Sequence, residues 1–263
     1  MNYCDLPEYD EFLTRANMFF VRSSKTGSSL TVQGDRKGLT FGEAIGEFTV
    51  QGAYPKGLFR EKDGIYMYKT GEMHTGAAEV LCSQLLDCTN VFGHVQYNQI
   101  RKYGVVASRC KLITDHNTDI IHAIDVTDCM EYAMNKFMVE VAQMCVFDYL
   151  VGNRNRHGKN WGFIRRAENN WAISGLHPLY DHNNAFDKDE LLNGTNKTSC
   201  LGMSRGGNCT LADAAKRMYK HSNFKFVAPV SKKWFSIFGD ESRFVLEHFT
   251  RRCECLGIPV TLA

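Results

Sequence analysis

Apolar residues recur at three- and four-residue spacing through Phe137, Val141, Met144, Cys145 and Tyr149, with Val139, Ala142 and Val146 widening the stripe. That period predicts a core helix that ends at Gly152. Thr127-Asp128 followed by Glu131 reads as a helix start ahead of it. The pattern then breaks into a polar, glycine-containing stretch, Asn153 to Asn160, before apolar residues return at Trp161 to Ile164. Trp161 to Arg165 and Trp171 to Ser174 predict a hairpin joined by Arg166 to Asn170, and a second polar loop follows at Pro178 to Asn183. Upstream, short β-type runs dominate: Met18 to Val21, Phe48 to Val50, Gly64 to Thr70, Val91 to Gln96 and Tyr103 to Ser108. Tyr9 to Asn17 and Ala77 to Asp87 have helical spacing, and Ser23 to Ser29 is a turn. Residues 119–150 are expected to carry helices, 191–212 a Gly/Asn/Ser/Thr-rich loop, and 213–263 further helix that ends at Pro259. A strand-rich front and a helical rear make the class α+β.

Composition adds bounds. The chain has 263 residues, enough for one large or two-lobed domain with a sizeable core. Its net charge of +2 and lack of a basic tract give no sign of direct nucleic-acid binding. The N-terminal residues include Asp5, Glu8, Asp10 and Glu11 and no apolar signal-peptide core, and no apolar run is long enough for a membrane span. The 10 cysteines form no CxxC pair, only Cys253-x-Cys255, which argues against a zinc site. Cys82 and Cys145 fall in apolar helical patterns as buried thiols, and the expected setting is a reducing cytoplasm.

The two polar loops carry the candidate chemistry. Polar density between core segments is costly unless the side chains have partners. For an isolated loop, the plain reading is a solvated connection. Two such loops flanking a hairpin also match a phosphotransfer site, where one loop supplies a base and a metal ligand and the next a metal-binding Asp. Asn160 precedes the first hairpin strand and Asp181 follows the second, so pairing brings both to one end of the hairpin. A carboxylate and an amide carbonyl suit Mg²⁺ rather than Zn²⁺. Lys69 ends a hydrophobic strand, and Glu79 opens the next helix. They are either a solvated edge lysine and a helix-dipole carboxylate, or a phosphate-gripping ion pair. The turn Gln51-Gly52-Ala53-Tyr54-Pro55-Lys56-Gly57 is a plain hairpin turn or a backbone cradle for phosphates. Lys25-Thr26-Gly27 lacks the spacing of a nucleotide-binding P-loop.

Asn153-x-Asn155-Arg156-His157-x-x-Asn160, followed by Leu179-Tyr180-Asp181, resembles the catalytic and metal loops of the HipA-like serine/threonine kinases. The likeness extends over roughly residues 48–186. It implies a two-lobed protein-kinase-like fold with a small β-rich N-lobe, residues 1–112, and a mostly helical C-lobe, residues 113–263. It implies ATP and Mg²⁺ as cofactors. Gly52, Ala53, Tyr54 and Lys56 would then cover the phosphates, with Tyr54 replacing the family's Gln. Lys69 and Glu79 would form the phosphate-gripping pair, and the strand around Ser108, Arg109 and Cys110 would hold adenine through its backbone. Asn160 and Asp181 would bind metal, His157 would orient the loop, and Lys159 would reach the terminal phosphate. Arg154 and Arg156 would either bind phosphate or brace the loop. The partner implied is a protein bearing a Ser or Thr hydroxyl. Some relatives are toxins of toxin-antitoxin pairs, which would add an antitoxin-like regulator.

The chain departs from the family at Asn155, which stands where the catalytic Asp is expected. An amide has no charge and essentially no proton affinity, so Asn155 cannot serve as the general base. Two accounts fit: a naturally near-inactive kinase, or an Asp→Asn change made to trap nucleotide or silence a harmful activity. With every other element in place, the second is favoured. Competing readings are a non-catalytic nucleotide-binding pseudokinase and a lipid or small-molecule kinase.

Overall fold

The computed structural model describes residues 19–21, 30–31, 49–50, 56–61, 64–69, 73–102, 105–114, 117–193 and 209–263. The expected helix at Tyr9 to Asn17, the turns at Ser23 to Ser29 and Gln51 to Pro55, and most of the 191–212 loop lie outside these residues.

An antiparallel sheet forms the front of the molecule. Its strands are β1 (Phe19–Val21), β4 (Lys56–Glu61), β5 (Gly64–Lys69), β6 (Tyr97–Lys102) and β7 (Val105–Lys111), in the order β1-β4-β5-β7-β6. β2 (Leu30–Thr31) and β3 (Thr49–Val50) pair separately. Helix α1 (Met73–Asp87) packs on β6 and β7. It buries Ala77, Ala78, Val80, Leu81, Cys82, Leu85 and Leu86, so apolar burial rather than one amphipathic stripe holds it in place.

The second sheet has the order β10-β9-β8, from β8 (Thr118–His122), β9 (Gly162–Arg166) and β10 (Ile173–Leu176). Ile121 faces Phe163 and Ile120 faces Ile164 across β8 and β9. An ideal Cβ on Gly162 would sit 2.1 Å from the Ile121 carbonyl oxygen, so only glycine allows β8 to approach the start of β9 this closely.

Helices α2 (Cys129–Lys136), α3 (Met138–Val151), α4 (Lys188–Asn193), α5 (Leu211–Ser222) and α6 (Ser242–Leu256) complete the rear. α3 is the axis of the core and is buried continuously from Val141 to Val151. Gly152 ends it at φ 66°, and its N–H bonds back to the Asp148 and Tyr149 carbonyls. Edge-to-face and tilted aromatic pairs, among them Phe235 and Phe226 on Phe249 and Tyr132 on Phe163, fill the space around it.

Four strands differ from the sequence expectation. Residues 118–122 form a strand, not a helix, and this short Thr-Asp-Ile-Ile-His run takes its shape from pairing with β9. The hairpin's return strand is Ile173–Leu176, displaced from Trp171 to Ser174 because Asn170 and Trp171 make the turn with positive φ. The strands expected at 91–96 and 103–108 lie at Tyr97–Lys102 and Val105–Lys111. The apolar stretch Val91 to Val95 has another partner. Leu179 N–H donates to the Gly93 carbonyl and Val95 N–H to the Leu179 carbonyl, both at 2.9 Å. The front sheet is thereby tied to the rear loop just before Asp181.

Candidate functional site

Lys69 is the last residue of β5, opposite Ser108 on β7 and Lys56 on β4. Its ammonium is buried between two carboxylates. It donates to Glu79 Oε1 from α1 and, at 2.7 Å, to Asp181 Oδ1 from the rear loop. Glu79 is 0% exposed and Asp181 19%, so the cluster opens toward solvent on the Asp181 side. Burial opposes the charge on Lys69, but Asp181 and Glu79 outweigh it and push the lysine pKa up. The other oxygen of Glu79 accepts a 2.7 Å bond from the Ser108 hydroxyl. Asp181 itself holds a left-handed backbone, φ 58°, and its N–H donates to the phenol oxygen of buried Tyr97. A non-glycine residue in that region costs about 1 kcal/mol or more and persists when its surroundings impose it.

The loop after α3 is pinned by one buried guanidinium. Arg156 is 0% exposed. Its Nε and Nη2 make a bidentate pair with Asp148 of α3, both bonds 2.9 Å. Nη1 donates to the carbonyls of Asn160 at 2.7 Å and Tyr180 at 2.8 Å. Nη2 also reaches His182 Nε2 at 2.8 Å, where burial and the adjacent guanidinium keep the imidazole pKa well below its ordinary value, leaving a neutral acceptor. Asn153 Nδ2 adds a 2.9 Å bond to Asp148 Oδ1. Arg156 therefore braces both loops against α3. Arg154 is exposed and lies 3.4 Å from Asp187.

Within this frame, Asn160 Nδ2 donates to the Asn155 carbonyl at 3.0 Å, which sets the amide orientation and reserves Oδ1 as an oxygen donor. The Asn155 carbonyl also accepts the His157 N–H at 3.0 Å, and the Asn155 side chain takes part in neither bond. His157 Nδ1 accepts the Lys159 N–H at 3.2 Å, which places the imidazole proton on Nε2. Burial lowers the His157 pKa against the pull of Asp181, so the ring is neutral at pH 7. The Lys159 carbonyl accepts the Tyr180 hydroxyl at 2.9 Å, another tie between the loops.

The structure thus brings together Lys69, Glu79 and Asp181, and sets Asn155, His157, Lys159 and Asn160 on one braced loop beside them. Gly52, Ala53 and Tyr54 lie outside the described residues, as does the Lys56 side chain. Ser108, Arg109 and Cys110, the expected adenine-holding backbone, lie within β7. They sit mid-strand with β5 on one side and β6 on the other, so their peptide groups are committed to the sheet. The Ser108 hydroxyl faces Glu79, the Arg109 guanidinium lies 3.6 Å from the Tyr66 ring centroid, and Cys110 is buried with Val80, Val95 and Tyr97. Sequence reasoning missed Asp148 and His182 as supports. The available signal was an Asp inside the otherwise apolar Phe147-Asp148-Tyr149-Leu150.

No protein-family model matches the chain, and no curated protein matches it. Among solved structures, it is similar to the proinflammatory kinase CtkA of Helicobacter pylori, with a TM-score of 0.54 over 82% of this chain and 90% of that one, at 15% identity. The fold is protein-kinase-like. At that identity the likeness establishes a two-lobed architecture and not an activity. Among the described residues, no group of three or more His, Cys, Asp or Glu side chains is placed to hold a metal. Asp181 and Asn160 Oδ1 are hard oxygen donors of the kind that fit Mg²⁺ completed by water and phosphate. No helix among the described residues is long and apolar enough to cross a membrane.

The entry to the Asp181 loop makes stability pH-dependent. His177 is 1% exposed, bonds Pro178 O at 2.9 Å through Nδ1 and packs on Tyr180. Burial lowers its pKa from 6.5 to about 4. A depressed folded-state pKa means the unfolded chain binds the proton first. Its contribution is therefore complete above pH 6.5 and is lost as pH falls toward 4, by about 3 kcal/mol in all. His182 contributes with the same sign. Urea midpoints should fall between pH 7 and 5, and a His177→Phe variant should fall less. Equal pH slopes for the two proteins would contradict this role of His177.

Proposed function

We propose that the protein is an ATP- and Mg²⁺-dependent protein serine/threonine kinase of HipA-like type whose phosphoryl transfer is weakened by Asn155. The observation that carries this reading is the buried Lys69 held jointly by Glu79 and Asp181. A cation fixed beside a partly exposed carboxylate, next to a loop bearing Asn160, is what gripping a metal-bound phosphate chain requires. In this reading Lys69 binds phosphate oxygens, Glu79 holds Lys69, and residues 52–56 cover the nucleotide. The Asp181 carboxylate and Asn160 Oδ1 hold Mg²⁺, which when bound neutralises charge on the phosphates. Asn155 lies at the acceptor hydroxyl, His157 orients the loop, and Lys159 reaches the terminal phosphate. The lobes divide at 112/113, between the end of β7 at Lys111 and the start of β8 at Thr118. The backbone beyond the sheet, Leu112 to Thr114, replaces Ser108 to Cys110 as the adenine-reading segment. A toxin-type role, an antitoxin-like partner and a cytoplasmic location rest on the family resemblance alone.

Asn155 favours one second reading, a pseudokinase that binds nucleotide and acts by shape. Both readings require the nucleotide site. Calorimetric titration with ATP should show binding strengthened by Mg²⁺. Asp181→Ala should abolish the Mg²⁺ effect, and Lys69→Met should weaken binding in both conditions. Binding indifferent to both substitutions would remove the assignment.

A further inference from the structure

Lys69 has two carboxylate partners, but the proposed chemistry needs them to part. Asp181 must turn to the metal while Lys69 stays with Glu79 and meets phosphate. The hold of Glu79 on Lys69 must therefore survive when Asp181 leaves. Glu79 is wholly buried, and the bonds described for its carboxylate are the one from Lys69 on Oε1 and the 2.7 Å bond from the Ser108 hydroxyl on Oε2. Ser108 is itself 3% exposed and lies directly across from Lys69 in the β5–β7 register. One strand pairing thus places the cation, and the same strand supplies the donor that fixes its carboxylate.

We infer that Ser108 is a positioning residue that anchors Glu79, keeps Lys69 on α1, and so lets Asp181 be given up to the metal. This rests on the kinase reading of the site. Without the hydroxyl, Glu79 Oε2 is buried and unsatisfied, its carboxylate is no longer fixed, and Lys69 shifts its weight to Asp181. The metal must then compete with a lysine for its ligand.

The test uses the full chain with Ser108→Ala and Ser108→Thr, each checked for folding by thermal melting. In nucleotide-free protein, acylation of Lys69 by an amine-reactive ester, read by mass spectrometry, should be about tenfold faster in Ser108→Ala than in the parent. Ser108→Thr, which keeps the hydroxyl, should stay near the parent. In ATP titrations, Ser108→Ala should raise the half-saturating Mg²⁺ concentration about tenfold while changing metal-free ATP binding far less. A simple loss of packing would not separate those two quantities. A folded Ser108→Ala protein with unchanged Lys69 acylation overturns the inference. If the parent binds no nucleotide, the kinase reading fails, and the acylation comparison still decides the role of Ser108.

Discussion

If the protein is the kinase proposed above, replacing Asn155 by Asp should raise phosphoryl transfer by about 10²–10⁴-fold, the usual contribution of a positioned general base. The local structure is ready for it. Asn155 is half-buried on a loop whose carbonyls and amides are held by Asn153, His157 and Asn160, and its side chain takes part in none of those bonds. Asp is nearly isosteric with Asn, so the loop keeps its shape, and the new carboxylate can accept the proton of a Ser or Thr hydroxyl. Single-turnover transfer from γ-labelled ATP to a Ser/Thr-containing protein is the measurement, with ATP·Mg²⁺ affinity expected to stay within a few-fold of the parent. An Asn155→Asp protein that binds ATP·Mg²⁺ yet transfers no phosphate makes this chain a nucleotide-binding module and not a weakened kinase.

Arg156→Met lowers folding stability by about 3–5 kcal/mol, the cost of removing one partner of a buried ion pair. The guanidinium joins Asp148, the carbonyls of Asn160 and Tyr180, and His182 without any exposure to water. Its loss strands the Asp148 carboxylate in the core and releases both loops. Pairing it with Asp148→Leu removes the stranded charge and should restore a large part of the loss, because well-packed apolar replacements of buried pairs are often near neutral. Urea unfolding of both variants gives the comparison. A single variant within about 1 kcal/mol of the parent would show that the network holds little of the fold.

Legibility from sequence followed the range of the forces involved. The α3 periodicity, the hairpin and the Lys69–Glu79 pair could be read locally, because each is marked by its own neighbours. Lys69 closes β5, Glu79 lies on α1, the next described helix, and the two side chains meet. The structure moved what depends on distant partners. Val91 to Val95 has the composition of a sheet strand, yet its Gly93 carbonyl and Val95 N–H bond to Leu179, far along the chain. β8 exists because β9 offers it an edge. The Ser108 hydroxyl bonds Glu79, a contact between distant residues that the β5–β7 pairing brings about. Arg156 fits either phosphate binding or bracing by sequence alone, and its complete burial against Asp148, a contact eight residues away across the end of α3, makes it a brace.

The most direct test of the proposed nucleotide site is the anomalous scattering of Mn²⁺ in crystals of this chain grown with a non-hydrolysable ATP analogue. The expected result is a Mn²⁺ peak bound by the Asp181 carboxylate and Asn160 Oδ1, with Lys69 on the analogue's phosphates and still paired to Glu79. A well-ordered analogue or Mn²⁺ seated away from these residues would contradict it.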